Sequence, residues 1–271
     1  MKKWKKSEIV FLILMTVIIL AAACVLFFIF REYHTGSDTY ESLQSYVFLP
    51  EETPEPPSDA SSETESGTQP SQASPSPDSA GEFYLAAPPV VDFDSLRAIN
   101  PDCIGWIYSP NTSINYPIAQ GTDNSYYLDH MYNGAANACG AIFMDYLNQN
   151  DFTDHNSILY GHHMKNGSMF AGLAGYAQQD YYDAHPALWI ITPGEAHRVN
   201  LFAGFVTDAE SDVWQVSFAN DDDFQKWLDS VCRKSYFKSD IVPTVNDHIV
   251  TLATCSYETA TSRFVVMGIM E

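Results

Sequence analysis

The stretch Val250-Thr-Leu-Ala-Thr-Cys255, followed after a short polar segment by Arg263-Phe-Val-Val-Met267, decides the fold that we expect. Both runs are rich in β-branched residues, which is typical of strands. The polar residues between them suit the connection of a hairpin. Pairing of the two strands would place Arg263 beside Cys255 across the sheet. The C-terminal residues therefore predict a strand pair with a cysteine and an arginine at one end.

Upstream of this hairpin, short β-like runs alternate with clusters of Pro, Gly and Asn, which mark strand boundaries. One helix is well defined, because apolar residues recur at helical spacing over 221–234. Many short strands with a few helices predict a mainly β chain with a barrel-like core and added helices. The predicted strands are 104–108, 113–118, 140–144, 157–160, 187–192, 198–206, 248–254 and 263–270, and the other predicted helices are 92–99, 168–176 and 178–184.

The N-terminus has the composition of a membrane anchor. An uncharged apolar run at 9–30 would span about 33 Å as a helix, enough for a bilayer core. The lysines in residues 1–8 favour a cytoplasmic N-terminus, which places the rest of the chain outside the cell. A cleaved signal peptide is the alternative, but its apolar region is usually only about 7–15 residues long. We therefore expect a single-pass protein of the cell membrane with an extracellular domain.

A low-complexity segment follows the apolar run. From 50 to about 81 the chain is dominated by Pro, Ser, Glu, Thr, Asp, Gln and Ala. Such a composition cannot bury enough apolar surface to offset the entropy of ordering the chain. We expect residues 31–82 to form an extracellular tether and residues 83–271 to form one folded domain. On this view residues 1–81 should be dispensable for activity.

The charge of the chain excludes one class of partner. The formal net charge is −21 at pH 7, and residues 32–271 contain only eight Lys and Arg against 33 Asp and Glu. Nucleic acid is not expected to bind, because phosphate binding needs a basic surface. We attribute the acidity to solubility near a surface.

The five cysteines do not suggest a disulfide framework, since their spacing is irregular and no C-x-x-C occurs. A Cys103–Cys139 bond stays an open alternative, and Cys232 falls on the apolar face of the predicted helix. Cys255 differs, because a cationic neighbour at a strand end favours thiolate over thiol. The Arg263 guanidinium can also donate hydrogen bonds to an oxyanion.

A histidine supplies the third candidate group. The apolar run Ser157-Ile-Leu-Tyr-Gly161 leads into His162, where a strand exit can present an imidazole to a cleft. Histidine is the usual partner for activating a cysteine. His163 would point elsewhere if the chain stays extended, and we expect it to brace the loop. The candidate catalytic residues are therefore His162, Cys255 and Arg263.

Several segments closely resemble the class B sortases, cysteine transpeptidases of Gram-positive bacteria. The resemblance covers roughly residues 92–271 in order, with Ala253 where the family often has Ser. The matching segments are Gly105-Trp-Ile107, Ile114-Asn-Tyr-Pro-Ile118, Gly121-Thr-Asp-Asn-Ser-Tyr-Tyr-Leu128, Ile142-Phe-Met-Asp145, Tyr160-Gly-His-His-Met-Lys-Asn-Gly-Ser-Met-Phe170, Thr251-Leu-Ala-Thr-Cys255 and Arg263.

This resemblance implies an eight-stranded β-barrel with an N-terminal helical addition and a helix between strands six and seven. It implies cleavage of a C-terminal LPxTG-like or NPxTG-like sorting signal of secreted proteins, between Thr and Gly, through a cysteine thioester. The acyl group would pass to an amine of peptidoglycan or of a pilin, with no cofactor or metal. Cys255 would be the nucleophile, His162 the acid/base and Arg263 the oxyanion donor. The residues that match the substrate groove are Asn115, Tyr160, Val213, Trp214, Ala253 and Thr254.

Four alternatives remain at this stage. A papain-like peptidase usually has its cysteine before its histidine, on a helix start, and an L,D-transpeptidase has an S-H-G-C arrangement that is absent here. A zinc or adhesive module could use His162, His163 and Cys255, but these lack the usual ligand spacing. A purely structural surface protein is the last alternative.

Overall fold

The computed structural model describes residues 6–49, 87–255 and 261–271, and for positions 6, 9, 12 and 255 it describes the backbone alone. Two short strands, β1 (Val47–Phe48) and β2 (Val90–Val91), form a small sheet. The other eight strands form a closed barrel. They are β3 (Cys103–Tyr108), β4 (Asn115–Ala119), β5 (Ile142–Met144), β6 (Asn156–Tyr160), β7 (Ala187–Ile191), β8 (Ala196–Asp208), β9 (His248–Cys255) and β10 (Ser262–Met270).

The strand order around the barrel is β10-β8-β7-β3-β4-β5-β6-β9, and β9 pairs back onto β10. The pairs β4–β5 and β6–β9 are parallel, and the others are antiparallel. The predicted eight-stranded barrel is confirmed. The predicted strand 140–144 starts later, at Ile142, because Gly140 has a φ of +56° and lies outside the extended region.

The helices are additions to this barrel. They are α1 (Lys6–Gln44), α2 (Phe93–Ile99), α3 (Tyr126–Asp129), α4 (Gln179–Ala184) and α5 (Asp221–Lys234), with 3₁₀ helices at Ala171–Ala177 and Asp212–Trp214. Helix α5 connects β8 to β9, the sixth and seventh strands of the barrel, as predicted. The helix predicted at 168–176 is the 3₁₀ helix Ala171–Ala177, and α3 was not predicted.

Residues of β9 and β10 alternate between two hydrophobic clusters. Val250 and Leu252 belong to a cluster that also includes core residues of α1 and α2. Ala253, Val265 and Met267 belong to a second cluster, which the apolar stripe of α5 covers. A shift of one residue in the β9–β10 register would exchange these two faces, so burial on both sides fixes the register.

Helix α1 has two halves with opposite surroundings. Apolar side chains of its first half are exposed, for example Val10 at 62% and Phe30 at 64%, whereas Tyr40 and Leu43 in its second half are only 5% and 3% exposed. The helix is long and apolar enough to cross a membrane. Its second half packs on the barrel, in a region that the sequence assigned to the tether.

The remainder of the predicted tether, residues 50–82, lies outside the described residues. The two ends of the segment that contains it are adjacent, because Val47 pairs with Val91 and Phe48 pairs with Val90. The Asp92 amide also donates to the Tyr46 carbonyl at 2.9 Å. The chain therefore leaves and re-enters the described structure at neighbouring points.

Cys103 and Cys139 are both free and buried, so they form no disulfide with each other. Burial raises the pKa of both thiols, that of Cys139 to about 11. Both behave as small apolar residues of the core.

Candidate active site

Three strand ends meet at one end of the barrel. Strand β6 runs parallel to β9 with Tyr160 opposite Ala253, and the Gly161 amide donates to the Ala253 carbonyl at 3.1 Å. His162 lies two residues beyond Tyr160, and Cys255 ends β9 two residues beyond Ala253. In the antiparallel β9–β10 pair, Arg263 lies directly opposite Cys255. The backbone thus brings together all three residues predicted to be catalytic, although the side chain of Cys255 lies outside the described part.

A cleft of about 350 Å³ opens at this end of the barrel. Aromatic, aliphatic and polar side chains share its surface, which is typical of small-ligand and peptide sites. The described residues that line it are Asn124, Leu128, Phe143, Tyr160, Gly161, His162, Ala209, Trp214, Ala253, Thr254 and Arg263. A larger cleft of about 1010 Å³ includes His248 and Met270 at the opposite end, and none of the three candidate catalytic residues lines it.

The imidazole of His162 is held from α3. Its Nε2 lies 2.6 Å from the carbonyl oxygen of Leu128. A carbonyl can only accept, so Nε2 carries a hydrogen in this arrangement. A proton gained or lost by the imidazole is then exchanged at Nδ1. The ring is partly exposed, which suits a group that meets substrate.

The residues after His162 form a braced loop. His163 forms an isolated β-bridge with Met169, and the Phe170 amide donates to the His162 carbonyl at 3.0 Å. Backbone contacts thus close this loop, and the bracing hydrogen bond expected of the His163 side chain stays a prediction. Within the described ranges, no group of three or more His, Cys, Asp and Glu side chains is arranged to hold a metal ion.

Arg263 lies at the start of β10, partly buried, and its Nη1 donates to the Ser262 carbonyl at 3.0 Å. Its charge also reaches Tyr160. Burial and the Asp145 carboxylate raise the pKa of Tyr160, and the Arg263 charge only partly opposes that rise. The Tyr160 phenol therefore stays protonated at physiological pH, and it donates to Asp145 Oδ2 at 2.9 Å.

Four of the residues predicted to bind substrate line the cleft: Tyr160, Trp214, Ala253 and Thr254. The rings of Tyr160 and Trp214 are 6.1 Å apart between centroids and form an aromatic wall. The Thr254 side chain is buried, and its Oγ1 has no hydrogen-bond partner among the described residues.

The structure places the other two predicted substrate residues away from the cleft. Asn115 lies on β4, where its Oδ1 accepts from the Trp106 indole at 2.7 Å. Val213 is fully buried in the cluster beneath α5. The turn of the 3₁₀ helix Asp212–Trp214 explains this difference, because it buries Val213 and directs its neighbour Trp214 towards the cleft.

The sequence reasoning assigned no role to Asn124, which also lines the cleft. Its Nδ2 donates to Asp145 Oδ2 at 2.8 Å, and its Oδ1 accepts from the Tyr146 amide at 3.1 Å. Asp145 is buried, and its Oδ2 accepts from both Asn124 and Tyr160. The three side chains therefore form one hydrogen-bond network. The available signal was that Asn124 and Asp145 both fall in segments that carry the family resemblance.

Comparisons with known proteins agree with this geometry. A family model described as the Sortase domain matches residues 107–271. Sortase B of Staphylococcus aureus is 38% identical over 178 residues, which cover 65% of this chain and 73% of that protein. Sortase B of Listeria monocytogenes is 38% identical over 175 residues, covering 64% and 71%. A solved Staphylococcus aureus sortase B–substrate complex is 37% identical, with a TM-score of 0.63 over 66% of this chain and 84% of that chain.

Proposed function

The chain belongs to the class B sortases, which are cysteine transpeptidases of cell-wall sorting, and on that premise we propose that it uses Cys255, His162 and Arg263 to cleave a C-terminal sorting signal. The signal is of LPxTG or NPxTG type, and the cleaved bond lies between Thr and Gly. The acyl product passes to an amine of peptidoglycan or of a pilin. Surface proteins thereby become covalently attached to the cell wall.

The observation that carries this proposal is the register of β6, β9 and β10. Tyr160 opposite Ala253 and Arg263 opposite Cys255 bring three chain segments to one edge of one cleft. Directly opposite residues of an antiparallel pair project from the same face of the sheet. This is the register that an arginine needs to act on a carbonyl attacked by Cys255.

In the first half-reaction, the Cys255 thiolate attacks the carbonyl carbon of the signal's Thr. Arg263 donates hydrogen bonds to the oxyanion that forms. The S–C bond forms, the C–N bond to Gly breaks, and the His162 imidazolium gives its proton to the departing amine. With ordinary pKa values near 8.5 and 6.5, only about 1% of a Cys–His pair is the ion pair at neutral pH. Arg263 favours the thiolate in that equilibrium.

In the second half-reaction, neutral His162 takes a proton from the incoming amine at Nδ1 as the amine attacks the thioester. The new amide forms and the thiol is regenerated. The thioester conserves the acyl energy, so transfer competes with hydrolysis when water is kept away. The Tyr160–Trp214 wall is the part of the cleft that we assign to this exclusion.

The cleft supports a short extended peptide as substrate. Leu128, Phe143 and Trp214 offer apolar contacts, and Asn124 and Thr254 are polar residues of the same lining. A few placed polar groups in a largely apolar cleft give orientation and specificity. We assign Tyr160, Trp214, Ala253 and Thr254 to substrate binding.

We also propose that the first half of α1, residues 9–30, anchors the enzyme in the cell membrane as a single pass. Its N-terminus would be cytoplasmic and the barrel extracellular, as the N-terminal lysines favour. Substrates that carry sorting signals and the amine acceptor would then meet the enzyme at the outer surface.

The function is tested by product analysis. The full-length chain in detergent is incubated with labelled sorting peptides and an abundant amine acceptor, and products are identified by mass spectrometry. The proposal expects cleavage after Thr with the acceptor joined to the new C-terminus, and no product from Cys255→Ala that remains folded. A free carboxylate as the sole product would indicate a peptidase instead. Wild-type turnover by Cys255→Ala would refute the assignment.

A further inference from the structure

The second half of α1 contacts the loop that lies behind His162. The buried hydroxyl of Tyr40 donates to the Gly140 carbonyl at 2.5 Å and accepts from the Tyr132 amide at 3.2 Å. Burial raises the pKa of Tyr40 well above its usual value, so the hydroxyl keeps the proton that it donates. One phenol therefore joins α1 to two backbone groups of the barrel loops.

Gly140 in turn touches the surroundings of the imidazole. It has a φ of +56°, and a Cβ built on it would lie 2.5 Å from the Tyr127 carbonyl oxygen, 2.8 Å from that of Leu128 and 3.1 Å from His162 Cδ2. The Leu128 carbonyl is the acceptor for His162 Nε2. The Gly140 backbone is thus packed against both the ring and the group that orients the ring.

Further contacts of α1 hold the same loop. The Asn137 side-chain amide donates to the Glu32 carbonyl at 2.9 Å, and the Ala138 amide donates to Glu32 Oε1 at 3.0 Å. A Cβ on Gly36 would lie 3.0 Å from Cys139 Sγ, which shows how closely the helix approaches. Residues 137–140 are therefore held by α1 at several successive turns of the helix.

We infer that Tyr40 is a positioning residue for the transpeptidation, because its hydrogen bond to Gly140 fixes the backbone that orients His162. The inference rests on the proposed function, since it needs His162 as the acid/base. It makes the helix that could cross the membrane a part of the support of the active site. A displaced general acid costs rate even when no catalytic atom is removed.

The inference predicts that loss of the Tyr40 hydroxyl lowers kcat and leaves KM almost unchanged. The cleft residues assigned to peptide binding lie on β6, on β9 and near Trp214, and Tyr40 is not among the residues that line the cleft. Loss of the Tyr40–Gly140 hydrogen bond should therefore displace the imidazole and leave peptide binding almost unchanged.

The test is Tyr40→Phe in the full-length chain, which removes the hydroxyl and keeps the ring that packs edge-on against Tyr116. We expect kcat to fall roughly tenfold with KM changed less than about twofold. The limb of the pH–rate profile that reports the imidazole of the general acid should also move. Tyr132→Phe is the matched control, because its buried hydroxyl donates to the Leu96 carbonyl at 2.9 Å and does not touch Gly140. We expect Tyr132→Phe to keep the wild-type kcat. The melting temperatures of Tyr40→Phe and Tyr132→Phe should fall by similar amounts.

Equal losses of kcat in Tyr40→Phe and Tyr132→Phe would overturn the inference, as would a change in KM alone. If Tyr40→Phe does not fold, Glu32→Ala replaces it in the test. That variant removes the exposed carboxylate that accepts from the Ala138 amide in the same loop. It is expected to lower kcat in the same direction by a smaller factor, and an unchanged kcat would contradict the inference. His162→Ala and Cys255→Ala are measured alongside. Full activity in those two variants sinks the proposed function, whereas their inactivity beside a fully active Tyr40→Phe sinks only this inference.

Discussion

The surroundings of three of the described cysteines, Cys103, Cys139 and Cys232, disfavour reactivity at neutral pH. Burial raises the pKa of Cys103, Cys139 and Cys232, and in Cys139 the value reaches about 11. At pH 8 a thiol with that pKa is only about 0.1% thiolate, and the thiolate is the reactive form. Cys255 differs in that a guanidinium-bearing residue lies directly opposite it across the sheet. The residue scale therefore predicts strongly unequal reactivity among the thiols.

Alkylation of the native full-length chain with iodoacetamide tests this prediction. Because a raised pKa removes thiolate at every pH below it, Cys139 should stay unlabelled at pH 8 and react faster as the pH rises towards 11. Cys255 should be labelled before Cys103, Cys139 and Cys232. Peptide mass mapping over a time course gives the rates, and equal rates at Cys139 and Cys255 would contradict the prediction. The same reaction after unfolding is the control for reagent access.

Arg263→Lys should lower kcat/KM by at least about tenfold, because an ammonium cannot reproduce the planar donor geometry of a guanidinium. Loss of one oxyanion donor in other enzymes costs about 10² to 10³ in kcat. The control is Arg97→Lys on α2, which is not among the residues that line the cleft. Steady-state kinetics on a sorting peptide measures both variants, and equal turnover would remove the oxyanion role of Arg263.

At the scale of elements, α5 shows how far local pattern determines structure. Asn220 Oδ1 accepts from the Asp223 amide at 3.0 Å and caps the helix, and the helix has Arg233 and Lys234 in its last turn. The apolar stripe read from the sequence is the one that packs on the barrel, and its buried residues are Phe224, Trp227, Leu228 and Val231. Both ends of the helix were predicted at the observed residues.

Leu228→Ala should lower the free energy of unfolding by about 2–5 kcal/mol, since this side chain of α5 is fully buried against the barrel. Asn220→Ala should cost about 1 kcal/mol through the lost cap. Asp229→Ala is the control on the same helix, because Asp229 is exposed and a change there is expected within about 0.5 kcal/mol. Urea unfolding measures all three, and a Leu228→Ala variant as stable as Asp229→Ala would show that α5 does not pack as described.

Elements that depend on contacts between distant parts of the chain could not be predicted from local sequence pattern. Strands β1 and β2 have two residues each, and α3 has four, so no periodic pattern can identify them. The same holds for the cleft. Trp214 and Val213 are adjacent in sequence, yet only the 3₁₀ turn decides which one faces the substrate. In contrast, the pairing of Arg263 with Cys255 follows from the β9–β10 register, which the two β-like runs made predictable. His162 lies just beyond β6, and its position at a strand exit and the family resemblance together predicted its role.

At the scale of the whole molecule, the first part of the segment expected to be a tether packs on the barrel. Helix α1 continues past its exposed apolar half and packs on the barrel from Glu32 onwards. The described residues on the two sides of the low-complexity segment pair with each other as β1 and β2. The sequence could not distinguish these arrangements, because composition reports that a segment is polar but not where its ends return.

Two variants test whether the folded domain includes the second half of α1 or begins at residue 83. Replacing residues 50–86 by a short hairpin linker should leave activity and melting temperature unchanged, because β1 and β2 are already paired. Deleting residues 1–81 should lower stability by several kcal/mol, since it removes Tyr40 and Leu43 from the core, each worth about 2–5 kcal/mol. Calorimetry and peptide turnover measure both. A fully stable and active deletion of 1–81 would restore the view that the domain begins at residue 83.

The central claim is that Cys255 forms an acyl-enzyme, and the most direct measurement is the mass of that intermediate. The full-length chain is mixed with a sorting peptide in the absence of an amine acceptor, quenched in acid within one turnover, and digested for peptide mapping. The account predicts a mass increase equal to the peptide fragment ending in Thr less one water, which is the mass of its acyl group, located on Cys255 and discharged by added amine. Product formation without any adduct on Cys255, or with the adduct on another residue, would contradict it.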